Sequence, residues 1–298
     1  MITIESLSKK YGGRAVLDDV TFAARSGRVT GFLGPNGAGK STSMRIMVGL
    51  TRPDTGHVTI DGHTFSDLPN PGRHVGVMLD ASAQHAGRTG REILTLAQRT
   101  MGLPADRVPE MVHRVGLTET EADRRVGTYS LGMRQRLGVA VALIGAPSVL
   151  ILDEPANGLD PAGIRWMRDL LRGFADEGGT VLLSSHLLHE VEVIADDIVM
   201  IGQGRIVCEG SKAELIKGSG TLVRARDTET LELALRDSGL VTTRTSDGAV
   251  HTDAEPTVVG LVARESQLAL TELRAADGGL EEMFLALTAD TQREGKAA

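Results

Sequence analysis

The order of apolar and polar positions divides the chain into short elements. Residues 2–7 (ITIESL) and 20–24 (VTFAA) read as short strands. VTGFLG at 29–34 is a continuous apolar run ending in glycine, which predicts a buried strand feeding a loop. A helix is predicted from about 40 to 50, with Met44, Ile46, Met47 and Leu50 on its apolar side. HVTIDG (57–62) reads as a strand and turn, and HVGVMLD (74–80) as another buried strand. From about 90 to 145 the pattern is mainly helical. SVLILDEP (148–155) is a strand that ends in two carboxylates, followed by a helix over 161–176, a strand TVLLSS (180–185) and a helix over 187–195. DIVMIGQGRIVCEG (197–210) predicts a hairpin turning near Gly202–Gly204. Strands and helices alternating in this way imply an α/β fold with a mostly parallel sheet.

Past residue 217 the texture changes. KGSGT (217–221) is linker-like. Beyond it the pattern predicts a strand at TLVRA, a helix near 229–238, short strands within 240–252, a helix near 257–264, a strand LALTELR (268–274) and a helix LEEMFLALT (280–288). This makes a small α+β unit over 217–298, separate from a larger domain over 1–216.

Composition narrows the picture. With 298 residues, 41% hydrophobic and 24% charged, the chain has the composition of a soluble globular protein and the length of one large domain or of one domain plus a small one. Thirty-six glycines hint at tight turns or backbone-built binding loops. A net charge of −7 gives no basic field to draw nucleic acid, so none is expected as a partner. The lone cysteine, Cys208, cannot form an internal disulfide and fits a reducing compartment. The opening MITIESLSKK lacks the apolar run of a signal peptide. The apolar stretch Leu137–Leu152 is shorter than the ~20 residues of a spanning helix and is interrupted by Pro147, so it reads as a helix ending near Gly145 and then a strand.

The strongest chemical signal is GPNGAGKST: Gly34, Pro35, Asn36, Gly37, Ala38, Gly39, Lys40, Ser41 and Thr42. It fits the G-x-x-x-x-G-K-[ST] pattern between a predicted strand and a predicted helix. Glycines let successive N–H groups turn inward around a phosphate chain, and a helix start adds positive partial charge. Lys40 can reach the β- and γ-phosphates of ATP, and the Ser41 hydroxyl can ligate Mg²⁺. LILDEP supplies Asp153, placed to hold Mg²⁺ through water, and Glu154, placed to polarise the attacking water. In SSHLLHEVE, His186 follows a buried strand and can bond a γ-phosphate or that water; His189, one turn into the helix, has no assigned role. Read locally, Ser130 in YSLGMRQR (129–136) is a helix cap.

GPNGAGKST, YSLGM, LILDEP, GLD and SSH stand in the order and spacing of ATP-binding cassette (ABC) ATPases, which the chain resembles over about residues 1–215. The flavour is similar to ATP-binding subunits of bacterial exporters of the multidrug and bacitracin-resistance type, and LEEMFLALT resembles the tail of that subgroup. The resemblance implies a P-loop cassette: a RecA-like core, an antiparallel β subdomain, and a helical subdomain over about 81–145 where a permease docks. It implies that YSLGM takes the place of the LSGGQ signature, so that Ser130, Gly132 and Met133 close on ATP held by the P-loop of a second, head-to-tail copy. Leu131 and Met133 depart from the family's glycine and glutamine. The resemblance further implies that Tyr11 stacks on adenine and that Asp160 lies in the D-loop along the dimer seam, and it puts Asp80 where the family usually has a Q-loop glutamine that serves the metal. An ordinary surface tyrosine and a solvated loop acid remain the local alternatives for Tyr11 and Asp80.

The function expected from this is an ATPase subunit that drives a separate integral-membrane permease. It would sit in the cytoplasm against the inner face of the membrane, with efflux of drugs, antibiotics or similar compounds as the suggested task. A soluble ABC ATPase acting on nucleic acid or ribosomes is the alternative. It lacks support because no coiled-coil insert, second cassette or basic arm is visible. An importer subunit is a third, weaker reading by family analogy. The small terminal unit shows no catalytic cluster; it either regulates the cassette, strengthens dimerisation, or is an appendage without a ligand of its own.

Overall fold

A computed structural model describes residues 1–186, 188–216, 220–245 and 248–275, without the side chains of 188–190, 216 and 275. The predicted helix over 280–288 lies outside these residues, as does the side chain of His189. The chain divides into a first compact unit from Met1 to Gly210 and a second that begins at Ser211.

In the first unit, β1 (Ile2–Tyr11) and β2 (Arg14–Ala24) form an antiparallel hairpin about Gly12 and Gly13, both at positive φ. Both strands run further than their apolar residues suggest. Backbone pairing continues through the polar tip, from Lys9 opposite Leu17 to Tyr11 opposite Arg14, because ladder bonds need no apolar side chain. β3 (Arg28–Leu33) is the expected buried strand. α1 (Lys40–Met47) is shorter than predicted. Gly49 at φ 71° breaks it, and Leu50, expected on the apolar side, is 69% exposed. β4 (Thr55–Ile60) pairs with the free side of β1, giving an antiparallel sheet in the order β2-β1-β4.

β5 (Val75–Met78) leads into the helical layer: α2 (Gly90–Thr100), α3 (Arg107–Arg114), α4 (Glu119–Ala122) and α5 (Leu131–Leu143). Thr89 with Glu92 and Thr118 with Glu121 form capping boxes that start α2 and α4. α5 is apolar on nearly all sides from Leu137 to Leu143, and it is buried between β5 and the helices α2 and α3. The approach is close: a β-carbon on Gly76 of β5 would sit 2.2 Å from the carbonyl oxygen of Ala142. The apolar stretch considered for the membrane is thus this helix followed by β6 (Val149–Leu152). No helix among the described residues is long and apolar enough to cross a membrane.

α6 (Pro161–Asp176), β7 (Thr180–Ser185), α7 (Leu188–Ile194), β8 (Asp197–Gly202) and β9 (Arg205–Ser211) complete the unit. The main sheet has the order β5-β6-β7-β3-β8-β9, and every pairing from β5 to β8 is parallel. β6 and β7 are buried along their whole length, as their unbroken apolar runs require. The main core lies between the two sheets and α1, with Ile4, Phe22, Phe32, Met44, Ile151 and Ile201 among its residues. Phe22 and Phe32 bridge the sheets with ring centroids 5.0 Å apart.

The second unit has α8 (Lys212–Ile216), β10 (Thr221–Ala225), α9 (Thr228–Asp237), β11 (Thr242–Arg244), β12 (Val250–Thr252), α10 (Pro256–Glu265) and β13 (Leu270–Ala275). From β10 on, the succession is β-α-β-β-α-β, with an antiparallel sheet in the order β11-β12-β10-β13, as in ferredoxin-like units. Val223, Leu231, Leu235, Val250 and Val259 give it a core of its own.

Candidate functional site

The loop between β3 and α1 is shaped by close backbone approaches. A β-carbon on Gly34 would lie 2.5 Å from the carbonyl oxygen of Ile201, and one on Gly39 would lie 2.5 Å from Leu17. Gly39 also has φ 112°, a conformation that side chains resist. The loop is pinned where the Ala38 N–H donates to Pro35 (3.1 Å) and the Ala38 carbonyl accepts from Gly204 (3.1 Å). Gly39 caps α1 without a side chain, so no side-chain oxygen occupies the first-turn amides. Asn36, Gly37 and Ser41 are exposed and Thr42 is half-buried. Lys40 is 6% exposed and folds back, its Nζ donating to Gly34 O at 2.6 Å and Pro35 O at 3.4 Å. Burial pushes the Lys40 ammonium below its ordinary pKa, against the pull of Glu154 and Asp153. A polyphosphate against the loop would relieve that cost by adding negative charge.

Parallel order brings the remaining chemistry to the same edge. β6 and β3 are separated by β7, and all three end at the loop. Asp153 follows β6; its N–H donates to Met78 O at 2.7 Å, and its carboxylate accepts from the Ser184 hydroxyl of β7. Ser184 Oγ in turn accepts from the Glu154 N–H at 3.0 Å. Glu154 has φ 50°, a left-handed backbone that is unusual for a long side chain. Its Oε1 lies 3.8 Å from Lys40 Nζ and its Oε2 lies 2.8 Å from His186 Nδ1. Lys40, Asp153, Glu154 and His186 are therefore gathered in one place.

The other sequence-predicted residues lie elsewhere. Ser130 caps α5, accepting from the Met133 N–H at 3.2 Å, and a β-carbon on Gly132 would lie 3.5 Å from Leu159 Cδ2. Asp160 caps α6 by accepting from the Gly163 N–H at 2.8 Å. Among the described residues, neither Ser130 nor Asp160 bonds residues 34–42. Asp80 is exposed, and its Oδ1 accepts from the Ser82 N–H (2.7 Å) and Oγ (2.6 Å). Those two bonds hold its carboxyl below the usual range. Tyr11 is 51% exposed at the hairpin tip, two residues beyond Lys9, whose cross-strand partner Leu17 touches Gly39.

Two residues escaped sequence reasoning. Ser184 was legible only as a polar position in a buried strand. Gln135 was hidden in a helix, yet it is 5% exposed and bonds the carbonyls of Glu154 and Asn157. Neither carries a local motif; each is identified by what lies across from it.

Comparison with known proteins identifies the family. Residues 17–157 match the ABC transporter family. An uncharacterized ABC transporter ATP-binding protein of Bacillus subtilis, YhcH, is 35% identical over 99% of this chain and 98% of its own length. The daunorubicin/doxorubicin resistance ATP-binding protein DrrA of Streptomyces peucetius is 34% identical over 96% and 92%. A solved ATP-binding subunit of an ABC transporter superposes with a TM-score of 0.65 at 28% identity, over 80% of this chain and 93% of that one. With a phosphate loop, an acidic pair and a histidine at one sheet edge, and relatives alike along their whole length, the chain belongs to the ATP-binding proteins of ABC transporters and is an ATPase of that family.

Proposed function

We propose that this chain is the motor subunit of an exporter, and that two copies close head to tail on two ATP molecules. The observation that carries the reading is the split between two sets of residues. The loop 34–42, Asp153, Glu154 and His186 assemble within one copy, while among the described residues Ser130 bonds only the first turn of its own helix. A hydroxyl, backbone N–H groups and a helix start at Ser130–Met133 suit the γ-phosphate of a nucleotide held by another copy. In this reading Lys40 and the loop amides from Gly34 to Thr42 grip the phosphates. Glu154 polarises the attacking water, His186 orients it, Tyr11 stacks on adenine, and Asp160 lines the seam.

The hydroxyl of Ser41 and the carboxylate of Asp153 are hard oxygen donors of the kind Mg²⁺ takes, along with waters and phosphate oxygens. Bound there, the ion would neutralise charge on the transferring phosphoryl group. No cluster of three or more acidic, His or Cys side chains forms a metal cage among the described residues, and Mg²⁺ needs none. Asp80 would join that set through Oδ2, its Oδ1 being engaged by Ser82.

Hydrolysis parts the copies, and a separate integral-membrane permease converts the cycle into transport. In this reading the chain lies in the cytoplasm, against the membrane through its partner. Relatives named for daunorubicin/doxorubicin resistance and bacitracin transport support efflux of drugs or antibiotics. Nucleic acid or ribosomes are not favoured as partners. The second unit is read as an accessory that steadies or regulates the dimer.

The test is chromatography and phosphate release with Mg-ATP. Glu154→Gln is expected to run as an ATP-bound dimer without turnover, and Lys40→Ala to release no phosphate. Normal turnover by Glu154→Gln, or recovery of ribosomes or DNA instead of a membrane protein in a pull-down, would overturn the reading.

A further inference from the structure

Gln135 lies one helical turn after Leu131 on α5, so the two side chains share a face. That face rests on the loop after β6. The Gln135 Nε2 group donates to the carbonyl oxygen of Glu154 at 3.4 Å and to that of Asn157 at 3.3 Å. Leu131 meets the same loop at Gly158, where a β-carbon would sit 2.0 Å from Leu131 Cδ2. Glu154 carries the left-handed backbone, φ 50°, which persists in a long side chain only when surrounding groups hold it there. Its N–H donates to Ser184 Oγ on β7, and its C=O accepts from Gln135 on α5 and from the Asn157 N–H (3.2 Å). The strained residue is thus held on both sides by side chains of other elements. Where they hold it sets where its carboxylate meets His186 and Lys40.

The other end of the same amide argues against a purely structural role. Gln135 Oε1 is buried with no hydrogen-bond partner, a cost that a methionine of the same length would avoid. What glutamine adds at this position is its donor.

We infer that Gln135 is a positioning residue for ATP hydrolysis, tying the orientation of Glu154 to the helix that carries Ser130. Movement of that helix is then felt by the carboxylate of the same chain, with no contact between Gln135 and nucleotide. The inference rests on the reading of Glu154 as the group that polarises water.

The test compares the full chain with its Gln135→Met, Gln135→Glu and Glu154→Gln variants in Mg-ATP hydrolysis. Gln135→Met is expected to stay folded and to lose roughly 100-fold in kcat, the scale of a small misplacement of a reacting group. Its KM for ATP is expected to stay within about threefold, because no ground-state contact is lost. Gln135→Glu has a donor only while its buried carboxyl is protonated, so its kcat relative to wild type is expected to rise as pH falls. Folded Gln135→Met with wild-type kcat, or a Gln135→Glu ratio flat with pH, overturns the inference. The pH ratio decides alone if Gln135→Met fails to fold. If Glu154→Gln turns over normally, the reading of Glu154 falls and this inference with it. An inert Glu154→Gln beside an unimpaired Gln135→Met removes Gln135 alone.

Discussion

Glu154 and His186 meet at 2.8 Å, carboxylate to Nδ1, from the ends of two neighbouring parallel strands. The other carboxylate oxygen lies 3.8 Å from Lys40 Nζ, so one acid links the histidine to the phosphate loop. In the proposed mechanism His186→Ala removes the group that orients the water and leaves the loop 34–42 intact. We expect kcat to fall by about 100-fold, in the range of lost general acid–base assistance. Nucleotide affinity, measured by fluorescence titration, is expected to change little. Undiminished phosphate release would take His186 out of the mechanism.

Tyr11 stands half-exposed at the hairpin tip, with Lys9 Nζ 5.4 Å from its ring centroid. Lys9 is itself anchored on Asp54 at 2.8 Å. A ring there offers a face to a flat base. Tyr11→Ala is expected to weaken ATP binding by about 1–3 kcal/mol, the usual worth of base stacking on an aromatic. Tyr11→Phe keeps the face and is expected to bind as wild type. Equal affinities of all three in a calorimetric titration would assign the adenine elsewhere.

Leu131 occupies the space over Gly158, and Gly158 has φ 73°. Gly158→Ala then suffers twice: about 1 kcal/mol from the left-handed backbone, and a steric clash with Leu131. Leu131→Ala in the same chain is expected to remove the second cost and leave the first. Denaturant unfolding of the single and double variants would read this as a coupling of about 0.5–3 kcal/mol. Strict additivity would mean that the start of α5 and the loop at Gly158 are not in contact.

Asp196 gives a pH signature. Burial alone would raise its pKa, but hydrogen bonds from the Val29 N–H (2.9 Å) and Arg172 (2.5 Å) hold it below the ordinary value. A carboxyl depressed in the folded state adds stability above its unfolded pKa, near 3.9, and loses it as pH falls through the lower folded value. Asp196→Asn is therefore expected to be less stable than wild type at neutral pH, by roughly 1–3 kcal/mol. The gap is expected to close below about pH 4. A gap that does not change with pH would rule out the charge as its source.

Much of the site is legible in the chain because its parts are sequence neighbours. The loop 34–42 needs only its own glycines and the strand before it, and Asp153 and Glu154 are adjacent at the end of an apolar run. α6 and β7 fall where their patterns place them. Leu50 fails because its apolarity matched the helix period while Gly49 ended the helix before it. The Asp80–Ser82 bonds span two residues, yet nothing in the residue types decides whether that carboxylate turns to its own loop or to a metal.

By itself, the order of residues determined the strands buried on both faces, the phosphate loop, the acidic pair and the family. Each depends on residues close along the chain, where backbone geometry and apolar period act directly. The tertiary structure alone decided that Ser184 bridges Asp153 and Glu154, that Gln135 holds the backbone of Glu154, and that Leu131 seats on Gly158. Those partners are 19 to 31 residues apart. Their meeting depends on β7 inserting beside β6 and on α5 packing against the sheet edge, which no local pattern of side chains encodes.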